Sequence, residues 1–155
     1  MIDGEDMPER KIAYEMKPGE EFEPFEFSVS PELNQTYLTS LEADHPRYQY
    51  ETKLGSPIVH PGLLINFSNV TRSPSWYLPE GVAGVNAKDE VEYINPARVG
   101  KKFRVTWKVT DSFSKRGKPF FIKETLIVDE DGLEILRRRG VDAFISRESY
   151  HEENS

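Results

Sequence analysis

Between Phe103 and Thr110 apolar and polar residues alternate without a break: Phe103, Val105, Trp107 and Val109 against Arg104, Thr106, Lys108 and Thr110. Successive side chains of a strand point to opposite faces, so this period of two predicts a strand with one buried and one wet face. Ser114-Lys115-Arg116-Gly117-Lys118 reads as a hairpin turn, Phe120 to Val128 as the return strand, and Asp129-Glu130-Asp131-Gly132 as a second turn. Leu133 to Leu136 then continues into Arg137-Arg138-Arg139. Upstream the pattern changes. Ser30-Pro31-Glu32 is a helix start, with Ser as the cap and Pro at the first helical position. Leu33, Tyr37, Leu38 and Leu41 share one face of that helix, which stops in the Asp44–Arg47 loop. A second helix is predicted from about Pro61 to Thr71; Leu63, Leu64, Ile65, Phe67 and Val70 make it apolar on most sides, so it is expected to be buried. Phe22, Phe25 and Phe27 suggest a further strand, which Pro24 confines to a sheet edge or keeps short. Ser73–Glu80 reads as a loop carrying two bulky aromatics, and the text is strands from Val82 onward. Early helices followed by a run of antiparallel strands give the class α+β.

The chain of 155 residues is long enough for one domain with its own core, and its 37% hydrophobic and 12% aromatic content argues against wholesale disorder. Residues 1–17 read as an extended N-terminal arm lying on a partner subunit, with Ile12, Tyr14 and Met16 as anchors. Residues 18–145 read as the single domain and 146–155 as a polar, frayed tail. With 20 Lys and Arg against 27 Asp and Glu the net charge is −7, which disfavours a nucleic-acid footprint. No stretch has the length and apolarity of a membrane span, and the acidic N-terminus lacks the order of a signal peptide, so a cytoplasmic protein is expected. The chain has no cysteine, hence no disulfide and no thiol nucleophile. Its 3 histidines and the short acidic turn at Asp129–Asp131 do not compose a metal site.

The most informative stretch runs from Tyr37 to Ile65. A polar loop with a proline-centred turn, Asp44-His45-Pro46-Arg47-Tyr48, feeds the apolar run Pro57-Ile58-Val59, and Pro61-Gly62 opens a helix. Such a loop can set acid/base side chains opposite the backbone donors of a helix N-terminus. This pattern resembles the MaoC-like (R)-specific enoyl-CoA hydratases and dehydratases, in which a D-x-N-P-x-H segment supplies an Asp and a His and a P-I-V-H-G segment opens the central helix. The matching pieces here are Ala43-Asp44-His45-Pro46-Arg47-Tyr48 and Pro57-Ile58-Val59-His60-Pro61, and the similarity runs to about Phe144. The resemblance implies a hot-dog fold: a curved antiparallel sheet wrapped around a central helix. It also implies a homodimer or a heterodimer with another hot-dog subunit, because such sites form between two units. A coenzyme A thioester would be the substrate or ligand, with no other cofactor.

The frame matches, but its catalytic letters differ. Aligned on Pro46, the family Asp falls on Ala43 and the family His on Tyr48; a one-residue deletion would bring Asp44 to the Asp position. His45 stands before the proline, where the family has Asn. The family glycine whose N–H polarises the thioester falls on Pro61, which has none, so the oxyanion donor would have to be Gly62. Loss of a positioned acid/base costs about 100- to 10,000-fold in rate and loss of one oxyanion donor about 100- to 1,000-fold. Each candidate also has a structural reading. Asp44 can shape the loop, Tyr48 can be a packed aromatic with an ordinary pKa near 10, His45 can sit in solvent, and His60 can cap the helix. Arg137, Arg139 and Arg116 are candidates for coenzyme A phosphates, since guanidinium forks suit phosphate; the alternative is a solvated strand end. On a strand Arg137 and Arg139 share one face and Arg138 the other. Trp76 and Tyr77 are candidates for the acyl pocket.

Three functions follow from this reading. The first is an acyl-CoA hydratase or dehydratase component, a hydro-lyase subunit of fatty acyl metabolism that supports a catalytic partner carrying the missing Asp and His. The second is a divergent stand-alone hydratase or thioesterase using Asp44 with His45 or His60. The third is an acyl-thioester-binding or assembly subunit without activity.

Overall fold

A computed structural model describes residues 8–43, 45–50 and 55–148. Among these, β2 (Glu21–Ser28), β4 (Val82–Tyr93), β5 (Lys102–Lys115), β6 (Lys118–Asp129) and β7 (Glu134–Ser146) form a 5-stranded antiparallel sheet in the order β2-β5-β6-β7-β4. Helices α1 (Pro31–Ser40), α2 (Pro46–Gln49) and α3 (Pro61–Phe67) come between β2 and β4 in the chain. No helix of the described residues is long and apolar enough to cross a membrane.

The alternation in β5 does what its period requires. Phe103, Val105, Trp107 and Val109 are all buried on the inner face, while Arg104, Lys108 and Thr110 face solvent. Leu63 and Leu64 of α3 join that core together with Phe121, Ile127, Leu136 and Phe144. The Trp107 indole N–H donates to the Ser68 carbonyl at 2.8 Å, so the largest core side chain also ties the end of α3 to the sheet. At the β5–β6 hairpin Arg116 and Gly117 have φ of 52° and 74°. Two successive positive φ values match the right-handed twist of the flanking strands.

The two sheet edges differ. Pro24 sits in edge strand β2, where the register breaks between Phe22 and Phe25, as a residue without an N–H requires. Edge strand β4 has no proline, breaks register once between Asn86 and Lys88, and is exposed over nearly all of its 12 residues. The outer face carries a row of alternating charge in direct cross-strand register: Glu90, Arg139, Glu124, Lys108 and Glu21. Opposite charges facing across strands each help the sheet by a few tenths of a kcal/mol, up to about 1.

Three features depart from the sequence reading. Helix α3 ends at Phe67 instead of running to Thr71, and only a 3-10 turn, Val70–Arg72, follows. Its last turn is closed early because Ser68 donates through its hydroxyl to the Ile65 carbonyl at 2.7 Å and Asn69 turns extended. The N-terminal segment does not lie free of its own domain: β1 (Lys11–Ile12) pairs in parallel with β3 (Trp76–Tyr77), and Ala13 and Met16 are buried in the core. That pairing also makes a short strand of part of the Ser73–Glu80 loop. The tail from 149 onward lies outside the described residues.

Thr125 faces inward opposite Trp107 and Arg138, and its hydroxyl is the buried side-chain polar atom without a partner among the described residues. Replacing it with the similarly shaped valine removes a stranded polar atom. Thr125→Val is expected to raise stability by about 1 kcal/mol in urea unfolding; a loss of stability would mean that the hydroxyl has a partner.

Candidate functional site

The site is assembled around the start of α3 by a buried asparagine. Ser30 caps α1 by accepting from the Leu33 N–H at 3.0 Å, which sets Asn34 on the inner side of that helix. Asn34 is 1% exposed. Its amide donates to the carbonyls of Tyr48 at 2.9 Å and Ile58 at 3.2 Å, and its oxygen accepts from the His60 N–H at 3.3 Å. One side chain thereby fixes the loop, the apolar run and the helix entry relative to one another. A fully used buried amide is costly to lose, since its partners would be left unpaired.

Helix α2 holds Tyr48 inside. His45 caps it, accepting through Nδ1 from the Arg47 N–H at 3.2 Å, and Pro46 fills the first position. The Tyr48 ring is buried, 5.1 Å from the His60 ring, and its hydroxyl accepts from the Arg47 guanidinium at 2.9 Å. Arg47 also lies over the Tyr48 ring at 4.9 Å. Tyr48 is therefore a packed phenol held by an arginine. Asp44 lies outside the described residues.

Helix α3 begins with its donors already engaged. Pro61 has no N–H, and the Gly62 N–H donates to His60 Nδ1 at 3.0 Å. The Leu63 N–H donates to the His60 carbonyl at 3.0 Å and the Leu64 N–H to the same oxygen at 3.4 Å. A short helix needs such a cap, because its first N–H groups have no partner within it. Acting as acceptor through Nδ1 places the neutral imidazole's proton on Nε2. Burial first, and the Arg47 charge second, hold the His60 pKa below the usual 6.5. Gly62 is needed for a second reason: a Cβ there would stand 2.3 Å from the Tyr37 hydroxyl. Tyr37 thus seats its phenol over the first turn of α3, its ring 5.4 Å from His60. From β4 the Tyr93 hydroxyl donates to the Pro61 carbonyl at 3.3 Å, and burial pushes this phenol above its ordinary pKa.

His60, Tyr48 and Gly62 therefore meet, with His45 6.1 Å from Tyr48 on its outer side. The other candidates are elsewhere. Arg137 and Arg139 project from the outer face of the sheet, Arg137 bonded to Glu134 at 2.7 and 2.9 Å and Arg139 in register between Glu90 and Glu124. Arg116 is at the tip of the β5–β6 hairpin. Trp76 packs into the aromatic core, 5.6 Å from Phe22 and 6.3 Å from Phe144, and Tyr77 lies under Arg10 at 5.2 Å. Among the described residues, no group of three or more His, Cys, Asp or Glu side chains converges as metal ligands would.

Sequence reasoning passed over Asn34, Tyr37, Arg47, Tyr93 and Arg138. Asn34 had a readable signal, being a polar residue four positions from Leu38 on the buried stripe of α1. Arg138 is the inward member of the arginine run, 8% exposed, and its partners on β4 and α3 are distant in sequence.

The lowered pKa of His60 has a signed consequence. The unfolded chain takes up the proton more readily than the folded one, so this group's contribution to stability falls as pH drops through 6.5 towards the folded value. Protonation at Nδ1 also removes the acceptor that caps Gly62. The His60 imidazole is expected to titrate below 6.5 by NMR. His60→Ala should lose about 1 kcal/mol at neutral pH and less than that at about pH 5.5. Titration above 6.5 would contradict this geometry.

No protein-family model and no curated protein matches the sequence. Solved structures do match it closely in shape. A MaoC-like dehydratase from Rhodospirillum rubrum superposes with a TM-score of 0.72 at 14% identity, covering 88% of this chain and 98% of that one. The (R)-hydratase of A. caviae involved in PHA biosynthesis gives 0.66 at 16% identity, covering 84% and 98%. The ChsH1–ChsH2 complex from Mycobacterium tuberculosis gives 0.62 at 11% identity, covering 83% and 98% of the matched chain. Members of the thioesterase superfamily match as well. The chain has the MaoC-like hot-dog fold, an α+β architecture in which the antiparallel sheet carries α3 on its inner face.

Proposed function

We propose that this chain is the supporting subunit of a heteromeric hot-dog hydratase or dehydratase: it holds an acyl thioester while a partner subunit supplies the acid/base pair. The observation that carries this reading is the closed start of α3. Hydration of an enoyl thioester develops negative charge on the thioester oxygen, and that charge needs N–H donors aimed at it. Here the Gly62 and Leu63 N–H groups are spent on His60 and Pro61 has none. Tyr48 stands where the family has its histidine, and the phenol is fixed by Arg47. His60, the imidazole that remains, uses Nδ1 as a cap.

Edge strand β4 supports the other half of the proposal. It is 12 residues long and exposed, carries no proline, and past a single register break between Asn86 and Lys88 it runs unbroken to Tyr93. A second hot-dog subunit can continue the sheet by pairing with it. Tyr93 on the same strand touches the start of α3, so the edge and the site are adjacent. The likeness to a two-component complex favours a heteromeric partner over a second copy.

The purified chain, given a panel of trans-2-enoyl-CoA substrates followed at the enone absorbance, is expected to turn over at least about 100-fold more slowly than a hot-dog hydratase with both groups in place. Saturable acyl-CoA binding by calorimetry is expected in the same preparation. Efficient turnover by the chain alone would overturn the proposal.

A further inference from the structure

Beyond the end of α3 the inner face of the sheet is not apolar. Lys123 and Asp142 are 4% and 6% exposed and form an ion pair at 2.5 Å. Beside them Arg138 grips Asp89 through two bonds of 2.9 Å. Gly140 is in register with both Lys123 and Asp89, and a Cβ there would stand 3.0 Å from the ammonium. The glycine leaves the room in which the lysine head sits. Arg138 also donates to the Ser68 hydroxyl at 2.8 Å and the Asn69 amide oxygen at 2.9 Å, fixing where the helix stops. Because α3 stops there, the sheet beyond it is open as a cleft of about 250 Å³, lined by Asn69, Val70, Trp76, Asn86, Lys123 and Asp142 among others.

Stability does not account for this arrangement. Two charges taken out of water repay their desolvation poorly, and apolar residues of similar volume commonly serve as well or better. Each cation that lines the cleft is already matched by a carboxylate, Lys123 by Asp142 and Arg138 by Asp89. An anion entering it would have to compete with Asp142 and Asp89 for those cations, and a cation would meet Lys123 and Arg138. An uncharged group that both donates and accepts would meet complementary partners on each side. The cleft is aligned with the start of α3. Along β4, Tyr93 at the Pro61 carbonyl, Val91 opposite Arg138, and Asp89 share the inward face, and Asn86 opposite Asp142 continues it past a bulge. Helix α3 spans 7 residues, roughly 10 Å at 1.5 Å per residue.

We propose that the cleft receives an uncharged hydrogen-bonding group, a hydroxyl or a carbonyl, at the far end of the acyl chain. The thioester end would lie at the start of α3, the chain would run past Val91, and its polar terminus would displace water between the Lys123–Asp142 pair and Asn86. This proposal rests on the thioester-binding reading above and narrows its substrate class: an acyl group with a neutral polar end instead of a plain alkyl end.

Calorimetry on the full chain with octanoyl-CoA, its ω-hydroxy derivative and its ω-carboxy derivative tests this. The ω-hydroxy compound is expected to bind about tenfold more tightly than octanoyl-CoA, as one hydrogen bond to a charged group implies, and more tightly than the ω-carboxy compound. In the Lys123→Met, Asp142→Leu double variant that preference should vanish while octanoyl-CoA binding is kept. Should the double variant not fold, Asn86→Ala on the open wall carries the test, with loss of the preference expected. Equal or tighter binding of octanoyl-CoA overturns the proposal and leaves the thioester-binding reading standing. No binding of any of the three overturns both.

Discussion

Helix α3 is 7 residues long, too short to hold itself together, so both of its ends are fixed from outside. At the start His60 takes the Gly62 N–H, and Asn34 takes the backbone N–H of His60. At the end Trp107 and Arg138, both on the sheet, bond to the Ser68 carbonyl and hydroxyl. The helix is therefore a clamped bar on the inner face, and every group near it inherits its position from the clamp. The same bonds that make the helix possible also use up the donors that would otherwise face a ligand. A hot-dog frame with this entry is well suited to holding and poorly suited to polarising.

Charge is distributed over the two faces in different ways. Outside, single charges alternate across the strands in water, where each pair contributes little and the set keeps the face soluble. Inside, the Lys123–Asp142 pair is buried, and Arg138, paired with Asp89, is bonded to the helix end. The division follows from strand parity: Arg137 and Arg139 point out, Arg138 in. Substituting the outer arginines changes surface electrostatics, whereas substituting Arg138 strips partners from both Asp89 and the helix end.

Much of the fold was legible because it depends on local pattern. The alternation in β5, the cap and proline at Ser30-Pro31, the edge position forced by Pro24 and the hairpin at Arg116-Gly117 are each set within a few residues. The length of α3 was not legible, because apolar residues continue through Val70 and the stop is imposed by Arg138, 70 positions from Ser68. The packing of Ala13 and Met16 against their own domain was hidden likewise, since it depends on a parallel pairing with Trp76–Tyr77 far down the chain. In the site, His60 as a cap and Tyr48 as a packed phenol follow from residue type and place. Gly62 was read as a free donor; that it is spent on a neighbouring imidazole, under the Tyr37 hydroxyl, is a matter of tertiary geometry.

The account turns on whether the Gly62 N–H is engaged before any ligand arrives. Amide hydrogen exchange of the ligand-free protein, followed at Gly62 by NMR, tests this most directly. The bond to His60 Nδ1 predicts exchange slower than that of a free amide at neutral pH, with this protection lost once His60 is protonated. Fast exchange at neutral pH, with His60 neutral, would mean a free donor at the start of α3 and would contradict the supporting-subunit account.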